Sequence, residues 1–362
     1  MTRRLAAVLV ALGLVGPCAC AQEAWPDPGP PATRDLFPLN LLPLTYRPAS
    51  AVPLRAGETR VAMQVIRANT FEFSDLIKDH LAHETGGRTP VTPAMVAALA
   101  AQTSSEPLLY YFDGEVQRTD IHIGRGVGRD LEVGLTLGWQ SLDGGFLDGL
   151  IEGVHRLGFE QTGRGAIARN QLTLVVLQRG EVITFRQKPI RFQATDPVLS
   201  FVWRACARDG WSLSATGALQ VPLVSFEGHI RTTWDFSTGL LVQSPVRDGW
   251  SLNGGVAYLR RGTQGGFRAA NPFLVKDQAA GHVGIQYEGW RRVRPYLVLL
   301  YHDGLLVGRT SAALDQPALN HDLGVHIRIA RNAALTLGYI NNITHNENTA
   351  DMAFEVRVSA KF

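Results

Sequence analysis

After its first two dozen residues the chain holds no apolar run approaching the ~20 residues that a membrane-spanning helix needs, which excludes a helical membrane protein. Charge is scarce. Asp, Glu, Lys and Arg make up 19% of the 362 residues, against roughly 25% in ordinary soluble domains. Neither sign dominates, and a formal net charge of +3 leaves no basic footprint, so we expect no nucleic-acid partner. Cysteine is nearly absent: Cys18 and Cys20 lie close to the amino terminus and Cys206 stands alone, so no intrachain disulfide is expected in a mature chain. Nothing beside Cys206 (Val202, Trp203, Arg204) activates a thiol, and we read it as a small wall residue. Against these shortages, 45% hydrophobic residues exclude disorder, and 37 Gly without a fixed period exclude a collagen repeat. The length suits one large barrel or two globular domains.

Arg3 and Arg4 precede an apolar run from Leu5 to Val15, and the small residues that follow end in Ala19-Cys20-Ala21. This is the pattern of a secretory signal peptide, so residues 1–21 are expected to be removed before Gln22. Pro17 disfavours lipidation at Cys18 or Cys20. Residues 22–57 form a Pro-rich segment (Pro26, Pro28, Pro30, Pro31, Pro38, Pro43, Pro48, Pro53) that cannot be helix or inner strand. Its Leu36, Phe37, Leu39, Leu41 and Leu42 are too apolar for a free linker, so the extended segment is expected to dock on or in the main body.

From residue 58 onward the informative pattern has period two. In Leu131–Gln140 every odd position is apolar and every even one is polar or Gly; the same alternation runs through Trp211–Thr216 and on in Leu219-Gln220-Val221, and through Leu323–Ile329 and Phe354–Ser359. Such segments are two-faced strands, near ten residues long, the length of a tilted strand crossing a bilayer. Turns with Asp or Asn, such as Asp209-Gly210 and Asp248-Gly249, precede several of them, while the connections at the other end are long. Short turns at one end and long loops at the other predict an all-β, antiparallel, up-and-down transmembrane barrel over 58–362. The count is about fourteen strands, or twelve if the pair flanking Arg179-Gly180 is a loop hairpin. Trp211, Trp250 and Trp290 sit near the short turns and Trp139, Tyr258 and Tyr339 near the far strand ends, as two interfacial girdles do. Phe354, Val356, Val358 and Phe362 close the last strand on an aromatic and read as an assembly signal for the barrel-insertion machinery. We therefore expect an outer-membrane protein of a Gram-negative bacterium, with outer-membrane lipids and lipopolysaccharide as its surroundings; its oligomeric state stays open.

Two inserts stand out. Residues 74–105 contain helix-like pieces at Asp75–Ala82 and Pro93–Ala101. Residues 143–169 begin with Asp143-Gly144-Gly145, after which Phe146, Leu147, Leu150, Ile151, Val154 and Leu157 recur at helical spacing. Asp148, Glu152 and His155 share the polar face of that helix. Their i, i+4, i+7 spacing would suit a metal ion, and His155 with a carboxylate would suit a lipid hydrolase, but no Ser motif accompanies them. We read a loop helix folded over or into the barrel mouth, with Asp143, Phe146, Asp148, Glu152 and His155 as its candidate constriction residues, and we expect no metal and no cofactor.

Tyr111-Phe112-Asp113-Gly114-Glu115, the turn into Leu131-Glu132-Val133-Gly134-Leu135, and the run from Gly144 to His155 (GGFLDG, then IEG and His) resemble a family of bacterial outer-membrane barrel proteins catalogued only as a domain of unknown function. Asn69-Thr70-Phe71 and Asn348-Thr349-Ala350-Asp351 fit it too. The resemblance implies location and fold, and no activity.

Alternation assigns to the lumen Arg118, Asp120, His122, Glu132, Arg204, His282, Gln286, Glu288, Asp322, His326, Arg328, Glu355, Arg357 and Lys361. Basic residues facing lipid at mid-bilayer would cost ~2–4 kcal/mol each, so these must face a polar interior. Three classes of function fit: a diffusion pore or transporter for small or amphipathic molecules, a non-conducting structural or surface protein, and, less well supported, an outer-membrane lipid hydrolase.

Overall fold

An apolar side chain at every second position, with Gly, Ser, Thr or a charge between, fits only a sheet with one face in an apolar medium and one in a polar one. The structure, a computed structural model, describes residue 25 and residues 29–41, 43–83, 88–102, 108–155, 166–178, 181–226, 229–230, 233–262, 276–304, 314–344 and 349–362. The expected signal peptide lies outside them. The strands are β1 (Thr59–Phe73), β2 (Leu108–Gly126), β3 (Leu131–Asp143), β4 (Thr173–Gln178), β5 (Glu181–Arg186), β6 (Ile190–Arg208), β7 (Trp211–Gln220), β8 (Ser225–Phe226), β9 (His229–Ile230), β10 (Asp235–Gln243), β11 (Trp250–Arg260), β12 (Gln278–Tyr287), β13 (Val293–His302), β14 (Ala318–Ala330), β15 (Ala333–Asn342) and β16 (Met352–Lys361).

Twelve of these close an all-antiparallel barrel in the order β1-β16-β15-β14-β13-β12-β11-β10-β7-β6-β3-β2, with β2 pairing back to β1. The count is twelve rather than fourteen because β4 and β5 are a loop hairpin: β4 pairs with the upper end of β2, beyond the point where β3 stops. The short β8–β9 pair is a separate hairpin in another loop. At the turn end, Asp209-Gly210 and Asp248-Gly249 have φ of 51° and 81°, and of 51° and 82°, the left-handed pairs that tight hairpins require.

The register test is direct. Leu213 is 44% exposed and Ser214 is fully buried; Val256 is 63% exposed and Ala257 buried; Val356 is 47% exposed and Arg357 buried. Odd residues of β7 and even residues of β11 and β16 thus form a continuous apolar outer face, and their neighbours line the lumen. Trp211 and Trp250 project from that outer face near the turn end, and Tyr258 near the loop end. Cys206 is exposed on the wall beside a bulge at Arg204/Cys206 in the β6–β7 ladder.

Above the closed barrel, β1 and β2 continue with β4 and β5 as a small sheet. Its outer side carries Phe71, Phe73, Tyr111, Val175 and Leu177, packed under α1 (Asp75–His83) and α2 (Pro93–Gln102) through Ile77, Val96 and Leu99. Its inner side, Tyr110, Phe112 and Val176, overhangs the lumen. A third helix, α3 (Asp148–His155), follows β3.

Candidate functional site in the barrel lumen

Eight strands make a barrel that its own side chains can fill, and twelve leave space to account for. Here the Pro-rich segment occupies it, running from the turn end to the loop end and back. Trp25 lies beneath the guanidinium groups of Arg294 and Arg328, 4.3 and 5.0 Å from its ring. Thr33 Oγ1 hydrogen-bonds Asp322 and, at 3.2 Å, Glu355. Asp35 accepts bonds from Thr349 Oγ1 (3.0 Å) and the Ala350 N–H (3.2 Å), with His302 at 3.4 Å. Phe37 forms the tip, edge-on to Phe112 at 5.6 Å under the overhanging sheet. A single 3-10 turn, Pro38–Asn40, reverses the chain, and Asp35 braces it through the Phe37 N–H and Asn40 Nδ2.

On the way down the Leu44 N–H donates to Asp235 (2.9 Å), Tyr46 Oη bonds His282 Nδ1 (2.7 Å), and Arg47 donates to Gln64 Oε1 (2.9 Å). Ser212 and Ser214 donate to the Ala51 carbonyl, and the Leu54 N–H donates to Glu132 (2.9 Å), before the chain enters β1. The composition explains the path. A backbone inside a lumen must satisfy every N–H, and each proline removes one. Of the remaining donors, the Leu44 and Leu54 N–H groups meet wall carboxylates and those of Phe37, Asn40 and Val52 bond within the plug, while Leu36, Leu41 and Leu44 sit where the lumen turns apolar, against Ile66, Ile340, Leu259 and Leu300.

A cavity of about 160 Å³ remains between this plug and the wall of β1, β2, β3, β6, β7, β10, β11 and β16. Arg118, Asp120 and Arg357 line it and are buried; His122 lines it half-buried, with Nδ1 3.0 Å from Thr136 Oγ1. Glu132, also on its wall, pairs with Arg60 at 2.6 Å. His326 is buried elsewhere in the lumen, stacked on Tyr296. Arg328 reaches Trp25, and Arg204 turns to Asp130 in the β2–β3 turn (2.5 Å), at the rim rather than in the cavity. The inward glycines do not leave open space: a Cβ on Gly138 would fall 2.2 Å from Arg118 Nη2 and 2.4 Å from Asp120, so the Arg118–Asp120 pair occupies that volume.

The loop helix is not a constriction. Leu147 and Ile151 pack against Met352, with Tyr339 and Phe354 alongside, and these three project from the outer face of β15 and β16. Helix α3 therefore lies on the outside of the wall, with Phe146 66% and Leu150 50% exposed. It also starts later than its apolar spacing predicts, at Asp148, because Asp148 is held by Asn69 Nδ2 (3.1 Å) and the Asn170 N–H (2.6 Å).

Under the preceding turn, Arg67 pairs with Glu115 (2.5 Å) and Asp143 (2.7 Å), all on outward positions, and Phe146 covers the Arg67 guanidinium at 4.8 Å. Glu115 accepts the Leu147 N–H. Gly145 is obligatory here: its φ is +63° and a Cβ would lie 1.8 Å from the Glu115 carboxyl carbon. Glu152 is bound by Arg169 and Arg88, which hold its carboxyl down at about 2. The side chains of Val154 and His155, and Leu157, lie outside the described parts. Phe354, Val356 and Val358 face outward on β16, and the Phe362 backbone pairs with Thr59 (2.9 and 2.8 Å) at barrel closure.

Sequence reasoning missed the plug's own side chains and their nearest partners: Arg34, Arg47, Asp35, Asp235 and Arg294. For Arg34 and Arg47 a signal existed, since they are the only two basic residues between Gln22 and Pro53. Arg60 and Gln64 were legible from the alternation of β1.

Residues 81–362 match the model of a family described as "Protein of unknown function (DUF3187)". The chain belongs to this family. No curated protein matches it. Among solved structures, this DUF3187 barrel resembles the COG4313 outer membrane channel from Pseudomonas putida F1, with a TM-score of 0.53 at 10% identity over 88% of this chain and 100% of that one. The NanC porin gives a TM-score of 0.44 at 6% identity over 83% and 100%. The P. putida toluene transporter TodX gives 0.38 at 10% over 85% and 89%. The first likeness shows the fold: a closed barrel of the outer-membrane channel type.

Proposed function

We propose that this DUF3187 barrel is an outer-membrane channel for small solutes, held closed by its own residues 29–57. The observation that carries the reading is the plug itself. A separate stretch of chain fills the lumen through single hydrogen bonds and a few apolar anchors, with no strand ladder joining its described residues to the wall. A barrel kept only as a scaffold gains nothing from buried charges that a segment must satisfy, because replacing buried ion pairs by apolar residues is often neutral or stabilising. The apolar outer band with aromatics towards both ends supports placement in the outer membrane, among lipids and lipopolysaccharide. In this reading the chain is exported, cleaved before Gln22, and assembled through the Phe354, Val356, Val358, Phe362 strand by the barrel-insertion machinery.

The test is conductance in planar bilayers of the full chain against a variant lacking residues 29–53, each first shown to be folded by its heat-dependent shift in gel mobility. The full chain is expected to open rarely and the variant to conduct steadily. A folded variant without conductance makes this a non-conducting structural barrel.

A further inference from the structure

The cavity beside the plug has an unbalanced charge. Arg118 Nε donates to Asp120 Oδ1 at 2.7 Å, while Arg34 and Arg47 approach Asp120 Oδ2 only to 3.6 and 3.5 Å, beyond hydrogen-bond length. Three guanidinium groups thus surround one carboxylate. Oδ2 of that carboxylate accepts no hydrogen bond and Arg34 Nε donates none, although Asp120 is 2% and Arg34 7% exposed. Arg60 and Glu132 balance each other at 2.6 Å. Arg357 also lines it, with the Glu355 carboxylate near enough to attract both it and Arg47, and Asp196 adds a carboxylate that already holds the backbone N–H groups of Leu223 and Val224. The lining therefore has five arginines against three carboxylates, Asp120, Glu132 and Asp196. A buried guanidinium with a donor to spare, as at Arg34 Nε, is costly unless an acceptor meets it.

The rest of the lining is mixed: Gln64, Thr136, Ser200, Thr216 and Ser237 offer hydrogen bonds, while Leu41, Leu44, Val198 and Val202 are apolar. The guanidinium fork matches a planar carboxylate, and hydroxyl and amide side chains match hydroxyl groups. We propose that the cavity binds a small hydroxylated carboxylate, held by Arg34 and Arg47 of the plug together with Arg118 of the wall. This rests on the channel reading and names its solute class. Since two of the three arginines belong to the plug and one to the wall, such a solute bridges the two.

Calorimetric titration of the folded full chain in detergent tests this, with sodium gluconate as probe, sorbitol as its neutral counterpart and sodium phosphate as an inorganic anion. Gluconate is expected to bind saturably and sorbitol not at all. R47Q is expected to weaken gluconate by roughly tenfold or more, the worth of a hydrogen bond to a charged group. D120N, which removes the competing carboxylate, is expected to tighten it several-fold; a merely structural ion cluster would lose stability there and gain no affinity. Should R47Q fail to fold, D120N still decides. No saturable gluconate binding, equal binding of sorbitol, or phosphate binding as tightly as gluconate overturns the proposal. Gluconate binding with no conductance in the variant lacking residues 29–53 defeats the channel reading and leaves the site standing; conductance without gluconate binding does the reverse.

Discussion

Asp35 is the residue whose loss is expected to open the channel most selectively. Its carboxylate joins the plug tip to the loop before β16 through Thr349 Oγ1 (3.0 Å) and the Ala350 N–H (3.2 Å), with His302 at 3.4 Å on β13. It also braces the reversal through the Phe37 N–H and Asn40 Nδ2. A hydrogen bond to a charged group is worth about 1.5–3 kcal/mol net. Counting only the two bonds that cross from plug to loop, and taking each at the lower end, Asp35→Ala removes about 3 kcal/mol from the closed state. At about 1.4 kcal/mol per factor of ten, the open-to-closed ratio rises roughly a hundredfold. Both bonds end on Oδ1, so Asp35→Asn can keep an oxygen for both and loses only their charge assistance; its expected rise is about tenfold or less. Single-channel recording of the full-length variants reads open probability directly, and heat-dependent gel mobility shows that each barrel is folded. If folded Asp35→Ala opens no more often than the parent chain, the tip contacts do not hold the channel closed and the reasoning fails.

Arg67→Ala strands the fully buried Glu115 carboxylate on the outer wall and is expected to cost about 3–5 kcal/mol, read as a fall in Tm, whereas the double change Arg67→Met with Glu115→Gln recovers most of it. Gly145→Ala drives a Cβ into Glu115 and is expected to expose the loop 144–170 to protease without altering conductance, because α3 lies outside the lumen. Glu152 has its folded value lowered from 4.5 to about 2, so its contribution to anchoring that loop is complete above pH 4.5 and is lost as pH falls through about 2. Proteolysis of the loop should therefore be unchanged between pH 7 and pH 5, and Glu152→Gln should raise it throughout. A spin label at Leu213 is expected to report lipid and one at Ser214 the interior; the opposite pattern would mean a one-residue slip of β7.

Alternation made β3, β7 and β16 legible because their two faces meet different media along their whole length. The same periodicity could not fix the strand count. Leu174–Leu177 of β4 carries a two-faced apolar pattern as well, yet its faces meet α2 on one side and the plug tip on the other. Period two reports that a strand has two faces and says nothing of what covers them. Helix α3 shows the matching limit for period 3.6. Six apolar residues announce a buried stripe, but Tyr339, Met352 and Phe354 on the outer wall offer as good a seat as the lumen, and Glu115 beneath Gly145 decides between them. The plug has no period at all. Proline withheld it from both templates, and only its apolar residues and two isolated arginines hinted that it was inside.

In the channel reading, the way the plug is fastened bears on how it would open. Its covalent attachment at the turn end is to β1, where Gly57 bonds Gly126 and the chain passes into Thr59. The descending leg, residues 43–57, is long enough when extended to span ~50 Å, more than the ~30 Å hydrocarbon core of a bilayer. Withdrawal through the turn end therefore breaks no strand pairing. What it breaks is the Thr33 and Asp35 bonds near the tip, the single bonds from Leu44 to Leu54, and the burial of Leu36, Phe37 and Leu44, each apolar side chain worth about 1.5–3 kcal/mol. Those anchors are clustered at the tip and at the Leu44 shelf, while the charged contacts of Arg34 and Arg47 lie beside the cavity. A solute in that cavity would touch the charged contacts and the Leu44 shelf but not Phe37. It can bias which way the arginines point without supplying the energy that frees Phe37, so release of the tip requires a second action at the loop end, where Leu314 and the overhanging sheet close over it.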